Sequence, residues 1–101
     1  MLFQTKLSKW RMENSQLKYI QIEILLNEVK NLISNEIGNN PFEDLEKMIK
    51  IVSQKNYNQS HAIRNKLKNL SIMLYNRNLD CGKLVFEKLD EVYNLVTESL
   101  T

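Results

Sequence analysis

The feature that most narrows what this chain can fold into is a hydrophobic spacing of four, three and four residues. It occurs as Ile63, Leu67, Leu70 and Leu74, and again as Val85, Leu89, Val92 and Val96. On a helix of 3.6 residues per turn that spacing gathers side chains on one side, whereas on a strand it scatters them over both faces. Two further stretches carry the same signal. Ile22, Leu25, Leu26, Val29, Leu32 and Ile33 make one broad apolar face, and Phe42, Leu45, Met48, Ile49 and Val52 make another. Only 2 glycines and 1 proline occur in 101 residues, so the frequent turn punctuation of a β-rich chain is missing. The pattern predicts an all-α protein, an antiparallel four-helix bundle with short connections. One domain is expected over residues 1–101, with 1–13 as an N-terminal arm.

Local signals place the helix ends. The first helix is expected from about Ser15 to Ile37, closed by Gly38 in a left-handed conformation. The second has Asn40 as N-cap, Pro41 at the first helical position and Glu43 completing a capping box, with Lys55 and Asn56 near its close. The third begins near Ser60 and ends in Asn76-Arg77-Asn78. The fourth begins at Asp80 as N-cap, with Leu79 and Leu84 spaced for a hydrophobic staple and Phe86 and Tyr93 widening its apolar face.

Residues that could carry chemistry are few. Cys81 is the only cysteine, so no internal disulfide can form, which fits a cytosolic setting. A helix N-terminus can lower a thiol pKa, but no base stands near Cys81 in sequence, and it reads as a small, half-buried residue. His61, the only histidine, has no second histidine, cysteine pair or acid cluster at metal-ligand spacing, and reads as a surface residue near a helix start. The two glycines stand too far apart for a phosphate loop. No enzymatic activity, cofactor or metal is expected. The opening Met1-Leu2-Phe3-Gln4-Thr5-Lys6 has no apolar run or cleavage site, and no stretch approaches the ~20 apolar residues of a membrane span. The expectation is a cytoplasmic protein, with peripheral contact at the inner face of the membrane left open.

Charge is unevenly spread although the net charge is only +2. Residues 59–78 hold Arg64, Lys66, Lys68 and Arg77 without an acid, whereas 79–101 hold Lys83 and Lys88 against Asp80, Glu87, Asp90, Glu91 and Glu98. A basic helix beside an acidic one is the simple account. The alternative is a basic surface that meets an anionic membrane or a partner. A groove-reading DNA-binding helix fits poorly, because the fourth segment is acidic and no nucleic-acid motif is present. Two apolar stripes lie off the core faces. Leu17, Ile20 and Ile24 form one, over which the arm with Leu7 and Trp10 is expected to fold. Ile72 and Tyr75 form the other, close on the helical wheel to His61, Arg64 and Lys68. Exposed apolar patches beside charge mark partner surfaces. The candidate partner-binding residues are therefore Arg64, Lys68, Ile72, Tyr75 and Arg77.

With these segments in view, the chain resembles the immunity proteins that protect lactic acid bacteria and their relatives from class IIa, pediocin-like bacteriocins. Lys6-Leu7-Ser8-Lys9-Trp10 is similar to a Lys-Leu-Lys-Trp run that precedes their first helix. Ile24-Leu25-Leu26-Asn27-Glu28-Val29-Lys30-Asn31-Leu32 is similar to the Ile/Leu run with acids in that helix, and Lys88-Leu89-Asp90-Glu91-Val92 to a Lys-Leu-Lys-Glu-Leu in the last. The likeness covers nearly the whole chain in order and spacing. Arg11-Met12 stands where that subgroup often has Gly-Gly, and the chain stops at Thr101, where many members continue into a tail. The resemblance implies a four-helix bundle that binds without catalysis: it engages the mannose phosphotransferase permease loaded with bacteriocin, from the cytosolic side, and blocks the pore. The alternative from the residues alone is a generic small helical interaction or regulatory protein.

Overall fold

The computed structural model describes the backbone of residues 2–54 and 59–99 and the side chains of 17–54 and 59–97. The described residues form helices α1 (Leu2–Ile37), α2 (Glu43–Ser53), α3 (Ser60–Arg77) and α4 (Gly82–Ser99), with no strand. α1 and α3 each pack against both α2 and α4, closing a four-helix ring. The protein is an all-α four-helix bundle, as the spacing predicts.

Its centre is filled from every helix. Ile22, Leu26, Val29 and Ile33 of α1, with Leu45 and Met48 of α2, have no exposed surface, nor do Ile63, Leu70, Val85 and Val92. All eight members of the two four-three-four sets are buried. Leu25, Leu32 and Ile49 are only partly buried, because each lies at the edge of its apolar arc. Tyr19, outside the expected face, is buried one turn before Ile22.

Helix ends follow the sequence in part. Gly38 is left-handed (φ 87°) and its N–H donates to the Ser34 carbonyl at 2.8 Å. Asn78 adopts the same region (φ 51°) at the end of α3. The start of α2 differs from expectation. Phe42, not Asn40, is the N-cap residue, with extended backbone, and no capping box with Glu43 forms. Asn40 instead makes an Asx turn, its Oδ1 accepting from the Phe42 N–H at 3.2 Å. Its Nδ2 donates to Glu46 Oε1 at 3.1 Å, and Lys30 Nζ reaches the same oxygen at 3.0 Å. Lys30 first, then Asn40, hold the Glu46 carboxyl below the ordinary glutamate value of 4.5.

α4 is capped from across the bundle. The N–H groups of Asp80 and Cys81 donate to the carboxylate of Glu36, at 2.8 and 2.7 Å. Glu36 thus takes the role expected of Asp80, placing an anion at the positive helix end. The Cys81 amide is the main cause holding the Glu36 pKa below 4.5. Leu84 stands about 110° round the helical wheel from the middle of the Val85–Val96 arc and falls outward at 46% exposure, while Leu79, its expected staple partner, packs on the core.

The first helix starts at Leu2 rather than near Ser15, so residues 2–13 continue α1 instead of forming an arm. The side chains of Leu7 and Trp10, expected to cover the Leu17 stripe, lie outside the described residues. Glu28 pairs with Lys88, and stepping the antiparallel helices apart from that pair sets Ser99 opposite Leu17. The α1 backbone therefore runs on past the end of α4. A helix of 36 residues is about 54 Å long at 1.5 Å per residue, the same as the 54 Å long dimension of the molecule. The radius of gyration is 15.1 Å, above the roughly 13 Å of a compact chain this size. Among the described residues, no helix is long and apolar enough to cross a membrane.

Candidate interaction surface

Helix α3 buries one side and turns a mixed basic and apolar ridge away from the core. Burying Ile63, Leu67, Leu70 and Leu74 leaves positions 61, 64, 68, 72 and 75 in line on its outer face. Ile72 is 55% exposed and Tyr75 is 78% exposed, the most exposed large hydrophobic residue among the described ones. His61 and Lys68 are also exposed, and Arg64 is half-buried.

Beside this ridge, α3 and α4 enclose a groove of about 510 Å³. Leu67 and Leu89 form its floor, His61, Arg64 and Lys68 its basic wall, and Asp90 and Tyr93 the wall opposite. The Arg64 guanidinium lies 5.8 Å from the centroid of the Tyr93 ring, a cation–π distance. That contact orients the arginine along the rim. The groove is polar, with an apolar base, and open to a partner side chain.

Four of the five residues selected from the sequence, Arg64, Lys68, Ile72 and Tyr75, share this face. Arg77 does not. At 100° per residue it stands far round the helix from Tyr75, and its guanidinium lies 5.8 Å from the Phe42 ring, on the flank toward α2. Of the residues that line the groove, only Arg64 and Lys68 were selected from the sequence; His61, Asp90 and Tyr93 are among those that were not. Tyr93 was expected to widen the core face of α4, but it is 45% exposed. It lies about 70° round the wheel from the middle of the Val85–Val96 arc, an offset legible in the spacing. A tyrosine there keeps its hydroxyl near water and lends its ring to Arg64.

Elsewhere the chemistry is quiet. Cys81 is half-buried, and burial, then the neighbouring Glu36, push its thiol up to about 11, the opposite of activation at a helix start. Among the described residues no group of three or more His, Cys, Asp or Glu side chains is placed to hold a metal ion. Searches against protein families, curated proteins and solved structures found no match to the chain.

Proposed function

We propose that this is an immunity protein against a pediocin-like bacteriocin, acting by binding and not by catalysis. In this proposal it works in the cytoplasm, where it engages the mannose phosphotransferase permease once bacteriocin has loaded it, and blocks the pore. The observation that carries the proposal is the α3 ridge, where exposed Ile72 and Tyr75 stand in line with Lys68 and Arg64 beside an open groove. The four-helix bundle is the fold that the family resemblance implies. Apolar and aromatic side chains supply contact area, while basic ones steer encounter and fix register. The same charges favour the anionic inner leaflet around a membrane-bound receptor.

The test is expression in a strain sensitive to pediocin-like bacteriocins, followed by challenge with a panel of them. Resistance to a subset is expected. Reversing Arg64 and Lys68 to Glu together should abolish it without unfolding the protein. If soluble protein is confirmed by blot and no bacteriocin is countered, the immunity proposal is wrong. The ridge then belongs to a small helical interaction protein with another partner.

A further inference from the structure

The packing of the bundle leaves the basic side chains of α3 unpaired. Among the described residues, none of Arg64, Lys66, Lys68 and Arg77 takes part in an ion pair. The acidic helix beside them does not neutralise them. Asp90 of α4 faces the α3 wall across the groove without closing on it, and Lys88 of α4 pairs instead with Glu28 of α1. Unpaired charges of one sign on a groove wall attract a ligand of the opposite sign.

The spacing of that wall selects the form of the ligand. His61, Arg64, Lys68 and Ser71 line the groove at steps of three, four and three residues. On a helix those steps are about 4.5, 6 and 4.5 Å of rise. In an extended peptide, side chains on one side recur roughly every 6.6 Å. Carboxylates on alternate residues of an extended segment therefore fall within side-chain reach of successive donors along α3. The Arg64 guanidinium lies over the Tyr93 ring at 5.8 Å. A guanidinium stacked in this way keeps its N–H edge for a carboxylate.

The wall opposite excludes a ligand that is anionic all round. Asp90 repels a phosphodiester backbone or an anionic lipid headgroup, but it accepts a hydrogen bond from a hydroxyl or an amide. Tyr93 beside it offers a ring for contact. An extended peptide turns alternate side chains to opposite sides. One set can therefore be acidic toward α3 while the other is neutral and hydroxyl-bearing toward α4. Asn65 and Ser71, also in the lining, offer polar groups to the backbone between them.

We infer that the groove between α3 and α4 takes an extended acidic segment of the partner protein, with alternate carboxylates on Arg64 and Lys68 and the intervening neutral side chains against Asp90 and Tyr93. This rests on the α3 face being the partner surface proposed above, and not on the partner being a permease.

The probe is a capped hexapeptide of alternating glutamate and threonine, titrated into the isotope-labelled full chain and followed by NMR. Amide signals along one side of α3 from His61 to Ser71, and around Asp90 and Tyr93, should shift. The Arg64→Gln, Lys68→Gln double variant should bind about ten-fold more weakly, while the charge-matched Lys66→Gln, Arg77→Gln variant should stay within about two-fold of the parent. If a variant fails to fold, salt tests the parent itself: raising NaCl from ~0.05 to ~0.5 M should weaken binding about ten-fold. A hexapeptide with its three glutamates in one block should bind about three-fold more weakly than the alternating one. Shifts elsewhere or none, equal losses in the two double variants, equal binding of the block peptide, or no effect of salt each overturn the inference. So does a stronger response of the groove to inorganic phosphate or to phosphatidylglycerol vesicles, which would assign it to a phosphate-bearing ligand. Peptide binding by a protein that counters no bacteriocin keeps the groove assignment and discards the immunity proposal. Resistance conferred by a protein whose groove ignores the peptide does the reverse.

Discussion

Replacing Leu70 by alanine tests the packing of the bundle at its centre. Leu70 has no exposed surface and is the third member of the α3 set that faces the core. The substitution removes three carbons. At about 0.8 kcal/mol per buried carbon, the lost transfer free energy is about 2.4 kcal/mol. Neighbours on a four-helix ring can close the void only in part, so a cavity contribution adds to this, for a total of about 2.5–4.5 kcal/mol. A domain of this size is stable by about 5–15 kcal/mol, so the variant should fold but melt ~10–30 °C lower. Urea unfolding followed by far-UV circular dichroism measures it, with the midpoint falling and the slope unchanged. Ile72→Ala is the control on the same helix. With Ile72 55% exposed, the change should stay below about 1 kcal/mol. A Leu70→Ala loss below about 1 kcal/mol, or equal losses at the two positions, would refute the assignment of the α3 faces.

Three further outcomes follow from the helix ends. Asn78 is left-handed, so Asn78→Ala should lower stability by about 1 kcal/mol in urea melts, whereas Asn78→Gly should not. Glu36 and Glu46 both titrate below 4.5 in the folded protein, so the unfolded chain takes up protons first as pH falls. Their contribution is complete at neutral pH and is lost as pH drops below 4.5. Acid melts of Glu36→Gln should show a shallower loss. With the Cys81 thiol up at about 11, only about one molecule in a thousand is thiolate at pH 8. Labelling with a disulfide reagent should therefore be slow until the protein is unfolded, and Cys81→Ser should retain any protective activity.

The core was legible because burial on a helix repeats within a single turn or two. Leu67, Leu70 and Leu74 declare their face in eight residues, whatever lies across from them. Tyr19 was missed although it extends the same spacing, three residues before Ile22 and seven before Leu26; its hydroxyl and the polar Lys18 and Gln21 beside it obscure the signal. The start of α4 was misplaced for a different reason. Asp80 carries the local signature of a cap, but Glu36, at separations of 44 and 45 residues, takes the amides of Asp80 and Cys81. No local window contains that competition. The surface ridge was readable as far as the helical wheel was followed: Arg64, Lys68, Ile72 and Tyr75 share an angle, and Arg77 does not. Joining the α4 wall of the groove to the ridge needed the packing of α3 on α4, which Tyr93 and Asp90 complete.

The contact of Glu36 with the first turn of α4 also bears on the order of folding. The pairs α1–α2, α2–α3 and α3–α4 join helices adjacent in sequence, and each can form as a hairpin. The α1–α4 seam joins the two helices most distant in sequence. Closing a loop of that length carries a chain-entropy penalty of about 3 kcal/mol, against roughly 2 kcal/mol for a ten-residue hairpin loop. The seam is therefore the slow, late-forming part of the ring, and Glu36 acts as its latch. Substitutions at Glu36 should leave the refolding arm of a chevron almost unmoved and steepen escape from the native state, shortening the lifetime of the closed ring without delaying its assembly.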